Sequence, residues 1–283
     1  MSRIQACFES LQRTNRKALI AYITAGDPHP DQTVPLMHTL VEAGADIIEL
    51  GVPFSDPMAD GPVIQAACER ALAHHTSLQN VLSMVATFRQ EDKHTPIVLM
   101  GYQNPIEVMG IEDFAQEAQK KQVDGVLIVD VPIEQSHKTV NVYKKFEIDS
   151  IFLLAPTTSA QRIKSICEQS SGFVYYVSLK GVTGAGNLNT TEVENKVQQI
   201  KQATSLPVGV GFGIKDAESA AKVATVADAV VVGSAIIKQI EAHANNQATL
   251  HKNIKTLLSN MRKAMDNATQ TLKNHTEGDQ EVT

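Results

Sequence analysis

The chain has 283 residues, of which 43% are hydrophobic, and its formal net charge is -6 at pH 7. This length suits one large domain or two small ones, and the hydrophobic content is sufficient for a buried core. A negative net charge without a stripe of lysine and arginine disfavours nucleic-acid binding. The sequence has no apolar run long enough to predict a membrane span.

Short β-rich runs alternate with longer helical patterns along the chain. Several runs are continuously apolar, which is typical of strands buried on both faces of a parallel sheet. Every gap between runs is long enough for the crossover that parallel strands require. The eight predicted strands lie at 18–24, 46–51, 96–102, 125–130, 150–155, 173–178, 207–212 and 229–233.

Helical patterns occupy the gaps between these strands. They lie at 31–43, 77–91, 112–121, 134–146, 160–170, 192–203 and 216–227. Eight strand–helix units that close on themselves form a single (β/α)8 TIM barrel, which is the α/β fold predicted for residues 1–273. An open doubly wound sheet is the alternative, but no unit resembles a nucleotide-binding first half.

Further helices are predicted outside the regular alternation. The first, at 2–16, is expected to close the bottom of the barrel, and another is expected at 63–73. A short helix at 235–240 follows the last strand. Residues 274–283 are polar and are predicted to form a frayed tail.

The most informative polar residue is Glu49, in the second predicted strand. Alternation places Ile47 and Glu49 on one face of that strand, with Ile48 and Leu50 on the other. On the inner face, Glu49 would lie at the end of the barrel where such enzymes carry reactive groups. Burial would raise its pKa, which suits a general acid or base near neutral pH. The alternative is a structural glutamate paired with a basic side chain.

Two aspartates lie in the loop at 51–62 that follows this strand. Asp56 and Asp60 precede proline and glycine, respectively, a context that is common in turns and helix caps. Loops at this end of a barrel also carry catalytic groups. The pattern alone therefore leaves a structural and a catalytic role open for both residues.

Two glycine-rich segments follow later strands, at 181–186 and 209–213, and the last strand ends at Gly233 and Ser234. Backbone amides reach an anion where no Cβ obstructs them, and a helix N-terminus adds free donors. The loops after the seventh and eighth strands form the recurrent phosphate site of such barrels. We therefore predict phosphate binding here, with tight turns that bind no ligand as the alternative.

Other polar side chains give weaker signals. Lys180 follows the sixth predicted strand and could form a Schiff base, so a lysine-dependent barrel aldolase is a competing hypothesis. No group of residues has the spacing of a zinc site. The isolated cysteines suggest neither disulfides nor metal, and we expect a reducing cytoplasmic location. Three tyrosines lie in predicted strands, namely Tyr22, Tyr102 and Tyr175. A tyrosine in a strand is more often a core aromatic than a substrate contact.

Several motifs resemble those of tryptophan synthase alpha chains. The longest is Glu-Leu-Gly-Val-Pro-Phe-Ser-Asp-Pro-Met-Ala-Asp-Gly-Pro at 49–62, and the shorter ones lie at 24–28, 100–105, 130–132, 181–185, 211–214 and 233–235. The resemblance as a whole covers the chain from about residue 4 to residue 265. The resemblance implies a barrel lyase of tryptophan biosynthesis. Its reaction would split indole-3-glycerol phosphate into indole and glyceraldehyde 3-phosphate by general acid/base catalysis.

The same resemblance implies roles for individual residues. Glu49 and Asp60 would be the catalytic pair, and Thr183 would lie in a lid loop that meets Asp60 on closure. The phosphate-binding residues would be Gly184, Gly213, Gly233 and Ser234. The indole pocket would be lined by Tyr22, Ile64, Met100, Leu127, Tyr175 and Phe212.

The resemblance also implies a partner. The chain would need no cofactor of its own and would pass indole to a beta subunit that carries pyridoxal phosphate, in an α2β2 tetramer. Apolar residues beside a charge suit an interface at the barrel rim, and the predicted contacts are Pro53, Phe54, Asp56 and Asn104. A chain that only binds and activates a partner is a further alternative, which the presence of Glu49 and Asp60 disfavours.

Overall fold

The computed structural model describes residues 2–178, 190–211 and 213–278, without the side chains of Thr190 and of residues 272–278. Within these ranges the strands pair in parallel to form one sheet, with the order β5-β4-β3-β2-β1-β9-β8-β7-β6. The strands are β1 (Ala18–Thr24), β2 (Ile47–Gly51), β3 (Ile97–Gly101), β4 (Gly125–Ile128), β5 (Asp149–Ile151), β6 (Leu153–Leu154), β7 (Val174–Val177), β8 (Val208–Gly211) and β9 (Ala229–Val232).

The sheet closes on itself at Phe152. The two outermost strands of the pairing order, β5 and β6, are consecutive in the chain and only Phe152 separates them. β5 pairs with β4, β6 pairs with β7, and the Phe152 carbonyl accepts a hydrogen bond from the Tyr175 amide at 3.0 Å. The predicted TIM barrel is confirmed, but its fifth strand is split because each half pairs with a different neighbour.

Helices cover the outside of this barrel. They are α1 (Arg3–Arg13), α2 (Pro30–Glu42), α3 (Pro62–Ala73), α4 (Leu78–Phe88), α5 (Gln103–Met109), α6 (Ile111–Lys120), α7 (His137–Lys145), α8 (Ala160–Gln169), α9 (Thr190–Lys201), α10 (Ala217–Ala224), α11 (Ser234–His243) and α12 (Gln247–Gly278). The helix predicted at 134–146 is instead a 3-10 turn (Ile133–Gln135) followed by α7. None of the described helices is long and apolar enough to cross a membrane.

The strands bury side chains on both faces, as their apolar composition predicts. An inner cluster within the barrel contains Ile47, whereas Ile48 and Leu50 belong to the larger cluster between the strands and the surrounding helices. The α1 residues Ile4 and Phe8 belong to the inner cluster, so α1 closes the N-terminal end of the barrel. The C-terminal end, where Glu49 lies, is the end available for a substrate.

The last helix, α12, is attached to the barrel through Arg262. This buried guanidinium donates hydrogen bonds to the Lys17 carbonyl at 2.7 Å and to Asp46 Oδ2 at 3.1 Å, and it also bonds to Asp266. The helical backbone continues to Gly278. The predicted domain limit at residue 273 and the frayed tail beyond it stay predictions.

Candidate active site

Glu49 lies near the C-terminal end of β2, beside Tyr22 of β1 and Val98 of β3 in the strand register. Its side chain is almost fully buried, and Oε1 has no hydrogen-bond partner within the described part of the chain. Burial, assisted by the charge of Asp60, raises the pKa of Glu49 from an ordinary value of 4.5 to about 8. Removing a carboxylate from water disfavours its ionised form, so Glu49 carries a proton at neutral pH.

Asp60 lies in the loop between β2 and α3. The Tyr102 hydroxyl donates a hydrogen bond to Asp60 Oδ2 at 3.0 Å, and Gln65 Nε2 donates to the Asp60 carbonyl at 2.8 Å. Burial raises the pKa of Asp60, whereas the Tyr102 hydrogen bond opposes that rise. Because the charge of Asp60 also raises the pKa of Glu49, the two carboxyl groups share one electrostatic environment.

Two tyrosines surround Glu49, and glycines on neighbouring strands leave room for them. A Cβ at Gly51 would overlap the Tyr22 hydroxyl, and a Cβ at Gly211 would overlap the Tyr175 hydroxyl. Burial raises the pKa of both phenols, and the charge of Glu49 raises each further. Both tyrosines are therefore neutral groups beside the candidate acid.

The other predicted pocket residues occupy two kinds of position. Met100 and Leu127 are neighbours in the register of β3 and β4, and both pack in the inner cluster with Tyr175. Ile64, in the first turn of α3, is half-buried and packs against the outer cluster. The predicted positions Thr183, Gly184 and Phe212 lie outside the described residues, as does Lys180.

Two of the predicted phosphate residues, Gly233 and Ser234, lie at the start of α11. Gly233 is its N-cap and Ser234 its exposed first residue, and no side chain caps this end. The first amides of a helix have no intrahelical partner, so they are available to an anion. Gly213, two positions after the end of β8, has a φ of +77° and is exposed. Such a φ favours glycine over residues that have a Cβ.

The predicted contact residues differ in exposure around the rim. Pro53 is buried and Phe54 half-buried, whereas Asp56 and Asn104 are exposed. Two large hydrophobic side chains stand out as exposed among the described residues. Met58 (86%) lies in the loop after β2, as Phe54 and Asp56 do, and Val108 (82%) lies on α5, as Asn104 does.

Sequence reasoning missed Tyr102 and the helix α5 that follows it. The tyrosine was interpreted as a core aromatic, yet its hydroxyl bonds to Asp60 and its ring stacks on Phe54 at 5.0 Å between centroids. The partners lie far apart in sequence, and the only available signal was the position of Tyr102 at the end of an apolar strand.

Within the described residues, neither a metal-binding cluster nor a disulfide accompanies these groups. Among the described residues, no three His, Cys, Asp or Glu side chains are grouped so that they could hold a metal ion. The cysteines Cys7, Cys68 and Cys167 are free thiols.

Residues 8–266 match the family model described as "Tryptophan synthase alpha chain". The chain belongs to this family. It is 61% identical to the tryptophan synthase alpha chain of Thioalkalivibrio sulfidiphilus over 94% of this chain and 100% of the relative. The solved alpha subunit from Legionella pneumophila str. Paris is 48% identical, covers 94% of this chain and 99% of its own, and superposes with a TM-score of 0.88.

More distant structures agree with this assignment. A chain of tryptophan synthase from M. tuberculosis is 30% identical over 94% of this chain and 100% of its own, with a TM-score of 0.83. This family member is a lyase that cleaves indole-3-glycerol phosphate to indole and glyceraldehyde 3-phosphate, and indole passes to a beta subunit for tryptophan synthesis. The comparisons give no support to a Schiff-base aldolase or to a non-catalytic activator.

Proposed function

We propose that Glu49 and Asp60 carry out the cleavage by general acid/base catalysis. Breaking the carbon–carbon bond directly would expel an indole carbanion. Protonation of indole C3 first converts the ring into an electron sink. Glu49 donates that proton and later accepts one from the hydroxyl of the substrate side chain, so its carboxyl group is regenerated in each turnover.

Asp60 has a different role because its charge is needed. Positive charge develops on the indole ring when C3 is protonated. An ionised Asp60 accepts a hydrogen bond from the ring N–H and stabilises that charge, and preorganised groups of this kind contribute about 3 kcal/mol. The hydrogen bond from Tyr102 supports this role because it favours the ionised carboxylate.

The single observation that carries the proposal is the environment of Glu49. A carboxyl buried at the open end of an apolar barrel, with a pKa raised to about 8, is a proton donor at neutral pH. Structural carboxylates are normally paired, and Glu49 Oε1 has no partner among the described groups. This combination favours catalysis over a structural role.

The proposed substrate position extends from Glu49 to the start of α11. The indole ring would pack among Tyr22, Met100, Leu127 and Tyr175, together with Ile64, Thr183 and Phe212. Backbone amides would bind the phosphate, at Gly184, Gly213, Gly233 and Ser234. The uncapped N-terminus of α11 supports this assignment.

We further propose an α2β2 assembly in the cytoplasm. The exposed apolar side chains Met58 and Val108, on the same segments as Phe54, Asp56 and Asn104, support a docking surface at the rim. Pyridoxal phosphate would be held by the beta subunit only, since the proposed cleavage needs no more than two carboxyl groups. The free cysteines support a reducing compartment.

Glu49→Gln tests the proposed acid. The variant keeps the shape of the side chain but has no proton to donate, and we expect its turnover with indole-3-glycerol phosphate to fall at least about 100-fold. Binding of glycerol phosphate should be unchanged, because that ligand contacts only the phosphate site. A variant that retains more than about a tenth of wild-type turnover would contradict the assigned role.

A further inference from the structure

We propose that Tyr102 is a positioning residue that holds Asp60 in its working orientation and connects it to α5, the helix on the docking rim. The inference rests on the proposed role of Asp60. It concerns a side chain that contacts the catalytic carboxylate rather than the reacting atoms.

The Tyr102 hydroxyl binds two consecutive residues of the catalytic loop. It accepts a hydrogen bond from the Ala59 amide at 3.0 Å and donates one to Asp60 Oδ2 at 3.0 Å. An amide can only donate, so the phenolic proton remains available for the carboxylate. Asp60 Oδ1 accepts no hydrogen bond from the described residues and is left for the substrate.

The aromatic ring of Tyr102 fixes the other end of the same loop. It stacks on Phe54 with 5.0 Å between the centroids and 28° between the planes. The residue is only 4% exposed, so its ring has little freedom to move. One buried side chain therefore contacts the loop near its beginning, at Phe54, and at its end, at Asp60.

The backbone of Tyr102 lies at the start of α5, the helix on the proposed docking rim. Tyr102 is the N-cap residue of α5, and the next amide, of Gln103, donates to Asp130 Oδ1 at 2.9 Å. The same helix carries the exposed residues Asn104 and Val108. A partner that displaces or orders α5 therefore also moves or fixes Tyr102 at its start. Because the Tyr102 hydroxyl bonds to Asp60, the orientation of the Asp60 carboxylate changes with it.

The central experiment compares Tyr102→Phe with the matched control Tyr143→Phe. Tyr102→Phe keeps the ring that stacks on Phe54 but removes both hydrogen bonds. Tyr143 is also buried, and its hydroxyl has no hydrogen-bond partner among the described groups. We expect kcat of Tyr102→Phe to fall about 10- to 100-fold, the effect of losing a hydrogen bond to a charged group. KM should change by less than about threefold, and the control should behave like wild type.

The pH profile separates positioning from simple loss of stability. Without Tyr102 as donor, the ionised form of Asp60 is less favoured, so the acid limb of kcat should move to higher pH. Among the described residues, the other titratable groups that interact with Asp60 are Glu49 on β2, Tyr22 on β1 and Cys68 on α3. Burial raises the pKa of Cys68 to about 11 and raises the pKa of Tyr22 well above its ordinary value, and Glu49 governs the alkaline limb. A partly unfolded variant would lower the whole profile without displacing its acid limb.

A titration with the beta subunit tests the connection to α5. We expect the beta subunit to raise wild-type turnover by a larger factor than that of Tyr102→Phe. Unchanged kcat and acid limb in Tyr102→Phe would overturn the positioning role, and equal activation of both proteins would overturn the link to α5. Asp60→Asn is measured in parallel, because a variant that stays active would refute the proposed role of Asp60 itself.

Discussion

Glu49 shows how one residue can serve catalysis at a cost to folding. An unpaired carboxyl in an apolar site is tolerated when it is protonated, and its ionisation in the folded state is unfavourable. The alternation of the second predicted strand put this side chain on the same face as Ile47, which packs in the inner cluster of the barrel. Alternation alone did not decide between an inward acid and a structural glutamate paired with a basic side chain.

The raised pKa of Glu49 predicts a pH-dependent stability. A group whose folded pKa is raised contributes stability that is present below its unfolded pKa, near 4.5, and lost as pH rises towards its folded pKa of about 8. Glu49→Gln removes this titration. At pH 8–9 the variant should be more stable than wild type, by on the order of a few kcal/mol, and the difference should shrink towards pH 4.5.

Urea unfolding at several pH values measures this difference. The exposed residue Glu168 provides the control, since Glu168→Gln should leave the pH dependence of the free energy of unfolding unchanged. A Glu49→Gln effect that is the same at every pH would mean that burial of the carboxyl does not shift its ionisation.

The contact between Tyr102 and Asp60 could not be predicted in the same way. The two residues are 42 positions apart, and Asp60 lies in an irregular loop. Periodicity places a side chain on a face of a strand but does not give the path of a loop. Only the folded chain shows that this hydroxyl meets that carboxylate.

At the scale of single elements, the N-terminus of α11 is the proposed phosphate site. The sequence predicted a short helix at 235–240, and the helix is longer, from Ser234 to His243, and begins without a side-chain cap. Its N-terminal amides and dipole favour an anion. A substitution at this terminus can therefore weaken phosphate binding without lowering the stability of the helix.

Ser234→Asp tests whether phosphate binding and helix stability respond differently to a charge at this terminus. A negative charge in the first turn stabilises a helix by about 0.3–1 kcal/mol, so the variant should unfold at the same temperature as wild type or higher. The same charge occupies the proposed phosphate site, and we expect KM for indole-3-glycerol phosphate to rise at least about 100-fold through like-charge repulsion. Ser234→Ala keeps the backbone amide and should change KM by only a few-fold. Normal KM in Ser234→Asp would move the phosphate site elsewhere.

Other elements departed from the sequence prediction for identifiable reasons. The helix α5 has only seven residues and no side-chain cap, so it lacks both length and a start signal. The fifth predicted strand is apolar after Ser150, and nothing in its composition indicates that Phe152 divides its pairing between two neighbours. Boundaries set by tertiary pairing are not encoded in local composition.

At the scale of the whole molecule, the barrel brings groups from distant parts of the chain to one rim. The loop after β2 and the helix after β3 follow neighbouring strands, so their exposed residues face the same side. Alternating strands and helices predicted this closed architecture. The proposed partner surface was predicted from the family resemblance and from the mixture of apolar and charged residues in one loop.

The docking surface predicts which substitutions weaken the complex. Asp56→Ala and Phe54→Ala should lower the affinity for the beta subunit by about tenfold or more, if these residues contribute above 1 kcal/mol at the interface. The control is Glu91→Ala, because Glu91 follows α4 and precedes β3, at the opposite end of the barrel. Titration of the beta subunit while indole formation is followed gives the affinities. Unchanged affinity in both rim variants would exclude this surface.

The protonation state of Glu49 in the free chain is the central claim, and the pH dependence of kcat/KM for indole-3-glycerol phosphate tests it most directly. The isolated wild-type chain should lose activity tenfold per pH unit above the Glu49 pKa of about 8, because the proton to be donated to indole C3 is then absent. A kcat/KM that stays constant or rises through pH 8 would contradict the assignment of Glu49 as the acid.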